Sequence, residues 1–65
     1  MELLRKDTND KMTIELKKDE LGIICNALNE ICNGIDVFEF ETRIGAAFDE
    51  VKDLLEKATD IYKAQ

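Results

Sequence analysis

Three asparagines close together form the most unusual polar feature of the sequence. Asn26, Asn29 and Asn33 lie within one segment that has a helical pattern of apolar residues. On a helix, Asn26 and Asn33 align and Asn29 lies about 60° away, so their amides share one face. Asparagine is a poor residue for a helix interior, so the row needs an explanation. Either these amides, Asn26 and Asn29 foremost, bind a partner backbone or a small ligand, or they form a solvated polar face.

Carboxylates are the second group that could do chemistry. Paired carboxylates catalyse acid–base reactions when a pocket and a perturbing neighbour give them different pKa values. So short a chain has little room for a substrate cleft. The sequence also lacks the spacing of a calcium-binding loop. We therefore expect no enzyme, no metal and no cofactor, and we interpret the acidic residues as solvated helix faces or as a docking surface. The residues concerned are Glu39, Glu41, Asp49, Glu50, Asp53, Glu56 and Asp60.

Two cysteines and the absence of histidine limit metal and redox chemistry further. Cys25 and Cys32 fall on one predicted helix, about 10 Å apart along its axis, which is too far for a disulfide. Two separated thiols cannot supply the four ligands of a structural zinc site. We expect both thiols to be buried in the core, with an interchain or redox role as the alternative.

One of two neighbouring phenylalanines is expected at the surface. Phe38 and Phe40 are two residues apart and cannot both face inward from one narrow helix face. Val37, Phe40 and Ile44 form the inward stripe. Phe38 is then either packed on the flank near Ile35 or exposed as the anchor of a binding surface. The docking surface that we predict combines Phe38 with Glu39, Glu41, Asp49, Glu50 and Asp53.

The secondary structure that positions these residues is predicted to begin with one short strand. Residues 12 to 17 alternate apolar and polar side chains, which predicts a short strand. Residues 1 to 10 show no period and end in a turn-forming cluster. We therefore predict a flexible N-terminal arm over residues 1 to 10 and a single small helical domain over residues 11 to 65.

The first helix is predicted to begin at Asp19, its N-cap, and to end at Asn33 and Gly34. We expect Gly34 to adopt the left-handed conformation that commonly closes a helix. The apolar residues between these ends have the spacing of an amphipathic helix: Leu21, Ile24, Cys25, Leu28, Ile31 and Cys32.

Two further helices complete the predicted fold. Asp36 and Glu39 have the spacing of a capping box, so a second helix is predicted from Val37 to Ile44. Residues 35 to 42 are also rich in β-formers, and a strand there is the alternative. After Gly45 a third helix runs to the end of the chain, following the apolar positions Phe48, Val51, Leu54, Leu55, Ala58, Ile61 and Tyr62. The fold class is therefore mainly α, one short N-terminal strand followed by three helices.

The net charge of the chain limits the classes of macromolecule that it is expected to bind. Fifteen acidic residues against nine basic ones give a formal charge of -6, which disfavours nucleic acid and favours a basic protein surface. The segment from Phe38 to Val51 has the helix, glycine turn and helix pattern of a helix-turn-helix. Its second helix would present the carboxylates of Asp49 and Glu50 to DNA phosphates, which disfavours DNA binding. No apolar run approaches the length that spans a bilayer, and no secretory signal is present. We expect a cytoplasmic protein without membrane contact.

Three segments carry a resemblance: residues 28 to 34 (LNEICNG), residues 38 to 45 (FEFETRIG) and residues 49 to 51 (DEV). Together they resemble a small family of uncharacterised bacterial proteins. The resemblance covers about half of the chain and implies a stand-alone bacterial protein, but it transfers no functional residue. It also implies a small hydroxyl residue near the start of the third helix, where this chain has Ala47.

These observations leave three functional hypotheses. The first is a non-enzymatic, immunity-like or antitoxin-like module that docks its acidic surface on a basic protein. The second is a DNA-associated regulator that uses the helix-turn-helix-like segment. The third is a small-ligand role at the asparagine row and the thiols.

A homodimer is the last expectation. A chain of 65 residues buries only about 60% of its unfolded surface and is marginal without help. A single strand would also leave both of its edges unpaired. We therefore predict that the strand over residues 12 to 17 pairs with its own copy, with Met12, Ile14 and Leu16 in the interface.

Overall fold

A two-stranded antiparallel hairpin precedes the helices in the computed structural model, which describes residues 1 to 64. Strand β1 covers Glu2–Lys6 and strand β2 covers Met12–Glu15. The Asp7 amide donates to the Lys11 carbonyl at 2.8 Å across the connecting turn. Asp10 has a φ of 61° in that turn, a conformation that Asp tolerates better than most residues. The fold is thus mainly α with an N-terminal hairpin.

Strand β1 corrects our prediction for the start of the chain. We expected residues 1 to 10 to form an arm without regular structure, and residues 12 to 17 to have no partner strand in the same chain. Instead, Leu3 lies opposite Ile14 and Arg5 lies opposite Thr13. Leu4 is the extra residue of a β-bulge between those pairs. A bulge breaks the alternation of side chains, so the segment shows no period of two in the sequence.

Helix α1 covers Lys18–Asn29 and begins two residues earlier than predicted. Lys17 is the N-cap, and its backbone amide donates to the Glu20 carboxylate at 2.9 Å. Asp19, the predicted N-cap, lies inside the first turn and accepts from the Glu20 amide at 3.0 Å. A carboxylate in the first turn also suits the positive end of the helix dipole.

The C-terminal end of this helix is a π turn over Glu30–Gly34. The Ile35 amide donates to the Glu30 carbonyl at 2.9 Å. The left-handed conformation predicted for Gly34 is wrong, because Gly45 is the glycine with positive φ in the described chain. Gly34 instead leaves room for the Glu30 carboxylate, which would lie 2.5 Å from a Cβ at that position.

Helix α2 covers Phe40–Ile44 and is shorter than the predicted helix from Val37 to Ile44. Phe38 and Glu39 form a turn in which Glu39 has a φ of 54°, so the helix cannot extend back to the predicted capping box. No strand forms over residues 35 to 42 either. Gly45 ends α2 with a φ of 88°, and its amide donates to the Glu41 carbonyl at 2.8 Å.

Helix α3 covers Phe48–Lys63, which confirms the predicted third helix. Its N-cap is Ala47, which has no hydroxyl group to cap the helix. The Glu50 carboxylate supplies half of a capping box by accepting from the Ala47 amide at 3.3 Å. No helix of the described residues is long and apolar enough to cross a bilayer.

The core lies between α1 and α3 and is small. Its buried apolar residues are Leu21, Cys32, Val51 and Ala58. The accessible surface is 5455 Å², against roughly 4,200 Å² for a compact monomer of this size. The radius of gyration is 13.2 Å, against about 11 Å. Many large apolar side chains therefore stay exposed: Met1, Leu3, Leu4, Met12, Ile14, Ile23, Ile35, Phe38, Ile44, Phe48, Leu54 and Ile61.

Candidate functional site

The turn before α2 presents Phe38 to solvent. Phe38 is 74% exposed, more than any other large apolar side chain of the described residues. Phe40, two residues later, is half-buried, and its ring packs edge to face on Phe48 with the ring centroids 5.3 Å apart. One phenylalanine thus faces inward and the other outward, as the spacing predicted. The left-handed Glu39 lies between them and turns the chain at this point.

The five predicted docking carboxylates lie on two parts of the chain: α2 with its preceding turn, and α3. The contact between Phe40 and Phe48 joins these two helices. Glu39 and Glu41 belong to the turn and to α2, while Asp49, Glu50 and Asp53 lie on the first turns of α3. All five are exposed. Because Asp49 and Asp53 are four residues apart, they share one face of α3.

Two of these carboxylates already have partners within the chain. Glu50 accepts from the Ala47 amide, and Asp53 forms an ion pair with Lys57 at 3.1 Å. Among the described residues, no ion pair involves Glu39, Glu41 or Asp49. These three carboxylates are the ones whose charge is most available to a partner. We call Phe38 with its five carboxylates the acidic surface.

Asn26 and Asn29 border a second candidate site, an open cavity of about 320 Å³ between α1 and α3. Asn33 donates its side-chain amide to the Asn29 side-chain oxygen at 2.9 Å. Asn29 and Asn33 are therefore linked in the structure, although α1 has already passed into the π turn at Asn33. We call the space the asparagine cavity, and its lining residues are Gly22, Cys25, Asn26, Asn29, Leu55, Thr59 and Tyr62.

Sequence reasoning missed the contribution of α3 to this cavity. Thr59 and Tyr62, both hydroxyl-bearing residues, line the opposite wall, whereas the sequence pattern places Tyr62 in the apolar stripe. Lys18 places its ammonium 5.2 Å from the centre of the Tyr62 ring, within the range of a cation–π contact. Gly22, inside a helical pattern, was the available signal, because a glycine there weakens the helix and so points to a packing reason.

The two thiols differ in burial. Both cysteines are free, and Cys32 is buried as expected. Cys25 is only half-buried, because it lies at the edge of the asparagine cavity, where α3 does not cover it. Among residues 1 to 64 no group of side chains could hold a metal ion.

The predicted dimer residues lie on the hairpin and on the segment that follows it. Met12 and Ile14 are exposed, and Leu16 is half-buried. Ile14 and Leu16 border an open groove of about 420 Å³ together with Lys18, Leu21 and Ile61. The groove separates the hairpin from α1 and α3.

An ion pair ties the start of β1 to α1. The N-terminal ammonium of Met1 contacts the Glu20 carboxylate, which also accepts from the Lys17 amide. The hydrogen bond from the ammonium, followed by the one from Lys17, lowers the pKa of Glu20 below its usual value. This contact anchors the hairpin and lies apart from both the acidic surface and the asparagine cavity.

Comparison with known proteins assigns no family to the chain. No family model, no curated protein and no solved structure matches it. The resemblance to a small bacterial family therefore stays a prediction, and any function has to be inferred from the surfaces described above.

Proposed function

We propose that the protein is a non-enzymatic binding module that docks its acidic surface on a basic protein partner. The exposure of Phe38 carries this proposal. A phenylalanine that is 74% exposed contributes about 1.5–3 kcal/mol when a partner buries it fully. Aromatic side chains of this kind are frequent anchors of protein interfaces.

The charge around the anchor supports a basic partner. Glu39, Glu41 and Asp49 are exposed, and they have no ion pair within residues 1 to 64. A partner with lysine and arginine side chains would meet these charges at the rim while Phe38 enters its surface. Charges of this kind speed association and reject acidic proteins. An immunity-like or antitoxin-like role fits a chain of this size and sign.

Photo-crosslinking at position 38 tests the proposal. A photoreactive phenylalanine analogue replaces Phe38 in one variant and Ile23 in a control variant. Ile23 is 68% exposed but lies on α1 and does not belong to the acidic surface. We expect a specific adduct from position 38 in cells that produce the protein, and none from position 23. The captured protein should be basic, and its binding should weaken as salt is raised from about 50 mM to about 500 mM.

Two results would contradict the proposal. Equal adducts from positions 38 and 23 would show that any exposed apolar residue is captured nonspecifically. A specific partner that is acidic, or whose binding does not respond to salt, would remove the role of the carboxylates.

A small polar ligand in the asparagine cavity is a second candidate. Its volume of about 320 Å³ is at the lower end of ligand pockets, which span about 300–1,000 Å³. Two asparagines of α1 and two hydroxyl-bearing residues of α3, Thr59 and Tyr62, line it. An NMR screen with small amide-bearing compounds should shift the Asn26 and Asn29 side-chain signals, and Asn26→Ala should abolish the response. Asn9→Ala, in the hairpin turn, is the control.

The alternative of a DNA-associated regulator gains no support from the geometry. Helix α2 has only five residues. Helix α3, in the place of a recognition helix, begins with Phe48, Asp49 and Glu50. Carboxylates at that end would face phosphate groups of the same charge.

A further inference from the structure

The hairpin lacks the packing that would make it stable alone. All residues of β1 and β2 are classed as exposed, so neither face of the sheet is fully covered. An isolated two-stranded hairpin is marginal in water at best. The ion pair between the Met1 ammonium and Glu20 holds its start, but a surface ion pair contributes only about 0–1 kcal/mol. The hairpin therefore needs a further partner.

One face of the hairpin is largely apolar. The pairing of Leu3 with Ile14 and of Lys6 with Met12 places three apolar side chains and one lysine on the same face: Leu3, Met12, Ile14 and Lys6. Ile14 also borders the groove toward Leu21 and Ile61. The opposite face is polar, with Glu2, Arg5, Thr13 and Glu15.

The free edge of β2 is regular, whereas the free edge of β1 is not. The Lys11 carbonyl points toward β1, because it accepts from Asp7. Backbone polar groups alternate between the two edges of a strand, so those of Met12 and Ile14 point away from β1. Within the described chain the sheet has only two strands, and nothing pairs with this edge. The bulge at Leu4 disrupts the free edge of β1.

The exposed surface leaves apolar area on the hairpin for a second copy to bury. The chain exposes 5455 Å², about 1,200 Å² more than a compact monomer of its size. Part of this excess lies on the hairpin, where Leu3, Met12 and Ile14 are 60%, 61% and 41% exposed, and a second copy can bury that part.

We propose that a second copy of this chain pairs its β2 with β2 of the first, antiparallel, with the twofold axis at Ile14. The sheet then has four strands. Met12 of one copy lies opposite Leu16 of the other, and Ile14 lies opposite its own counterpart. The apolar faces join into one surface over the grooves of both copies. This interface is separate from the acidic surface and goes beyond the proposed function.

Sedimentation equilibrium from about 1 µM to about 100 µM tests the dimer, together with thermal unfolding over the same range. We expect twice the chain mass of 7.4 kDa and a melting temperature that rises with concentration. Each copy carries a charge of -6, so added salt should maintain or strengthen the dimer, the opposite of its effect on a basic partner. A wild-type protein that remains monomeric throughout the range would overturn the proposal.

A matched pair of proline variants locates the interface. Ile14→Pro and Leu3→Pro change residues that lie directly opposite each other. Ile14→Pro removes an amide from the free edge of β2. Leu3→Pro removes an amide from the free edge of β1, which the proposed dimer does not use. We expect Ile14→Pro to sediment as a monomer and Leu3→Pro as a dimer, with helical circular dichroism retained in both. Dimerisation by Ile14→Pro, or its loss in both variants, would contradict pairing through β2.

An NMR experiment on the wild-type protein avoids reliance on variants. An equal mixture of ¹³C-labelled and unlabelled chains should give an isotope-filtered contact between Met12 and Leu16 methyl groups. Within one extended strand these residues are about 13 Å apart, too far for such a contact. A dimer that lacks this signal would refute the proposed register.

Discussion

The Tyr62 ring of α3 lies directly over Gly22 of α1. A Cβ on residue 22 would come within 3.2 Å of the ring. The contact is tight, but Tyr62 is half-buried and borders the asparagine cavity, so the ring has space to move. This relationship decides what an alanine does at position 22.

Gly22→Ala should stabilise the protein. Alanine in a helix interior is favoured over glycine by about 0.5–1 kcal/mol, and the ring has only to shift by a few tenths of an ångström. Urea unfolding at a fixed protein concentration measures the change. Tyr62 is the one tyrosine, and tryptophan is absent, so tyrosine fluorescence reports the ring directly. A destabilised variant would show that the ring is fixed.

Glu2 and Glu15 lie opposite each other across the hairpin, and like charges in that arrangement destabilise a sheet. Glu2→Gln and Glu15→Gln should each raise the free energy of unfolding by a few tenths of a kcal/mol. In the double variant the gains should be less than additive, because either change removes the same repulsion. A double-mutant cycle by urea unfolding measures this coupling, and strict additivity would exclude it.

Glu20 should make stability depend on pH at the acidic end. Its pKa is lowered below its usual value by the Met1 ammonium and the Lys17 amide. A lowered pKa means that the stabilising contact is fully present above the unfolded pKa and is lost as pH falls through the folded value. NMR titration of the Glu20 carboxyl carbon should give a midpoint below that of an unperturbed glutamate. Glu20→Gln should remove this part of the acid sensitivity, and an unshifted midpoint would contradict the ion pair.

The two thiols should react at different rates. Cys25 is half-buried beside an open cavity, and Cys32 is buried between the helices. A thiol reagent in native buffer should therefore label Cys25 first and Cys32 only at the rate of unfolding. Cys25→Ser should remove the fast phase and leave the slow one. Equal labelling of both residues would show that the core is open at Cys32.

Elements with an uninterrupted period were predictable from the sequence. Helix α3 and the apolar stripe of α1 follow the helical spacing, and β2 alternates at period two. Strand β1 was missed because Leu3 and Leu4 are adjacent in the sequence, and only a bulge at Leu4 lets this non-alternating segment pair as a strand. The early start predicted for α2 was wrong because Glu39 adopts a left-handed conformation, which a capping-box spacing cannot reveal.

The two candidate sites also differ in whether a local sequence pattern could predict them. The exposure of Phe38 follows from its distance of two residues to Phe40, a local property. The asparagine cavity depends on Thr59 and Tyr62, which are far away in the sequence and reach Asn26 only through the packing of α3 on α1. No local pattern encodes that approach.

The most direct test of the proposed function measures how tightly the partner captured through position 38 binds three proteins: the wild type, Phe38→Ala and Ile23→Ala. We predict that Phe38→Ala weakens binding about tenfold or more, equivalent to about 1.4 kcal/mol or more, and that Ile23→Ala binds as the wild type does. Circular dichroism should show both variants folded, because both side chains are exposed. Unchanged affinity for Phe38→Ala, or an equal loss for Ile23→Ala, would contradict a binding module anchored by Phe38.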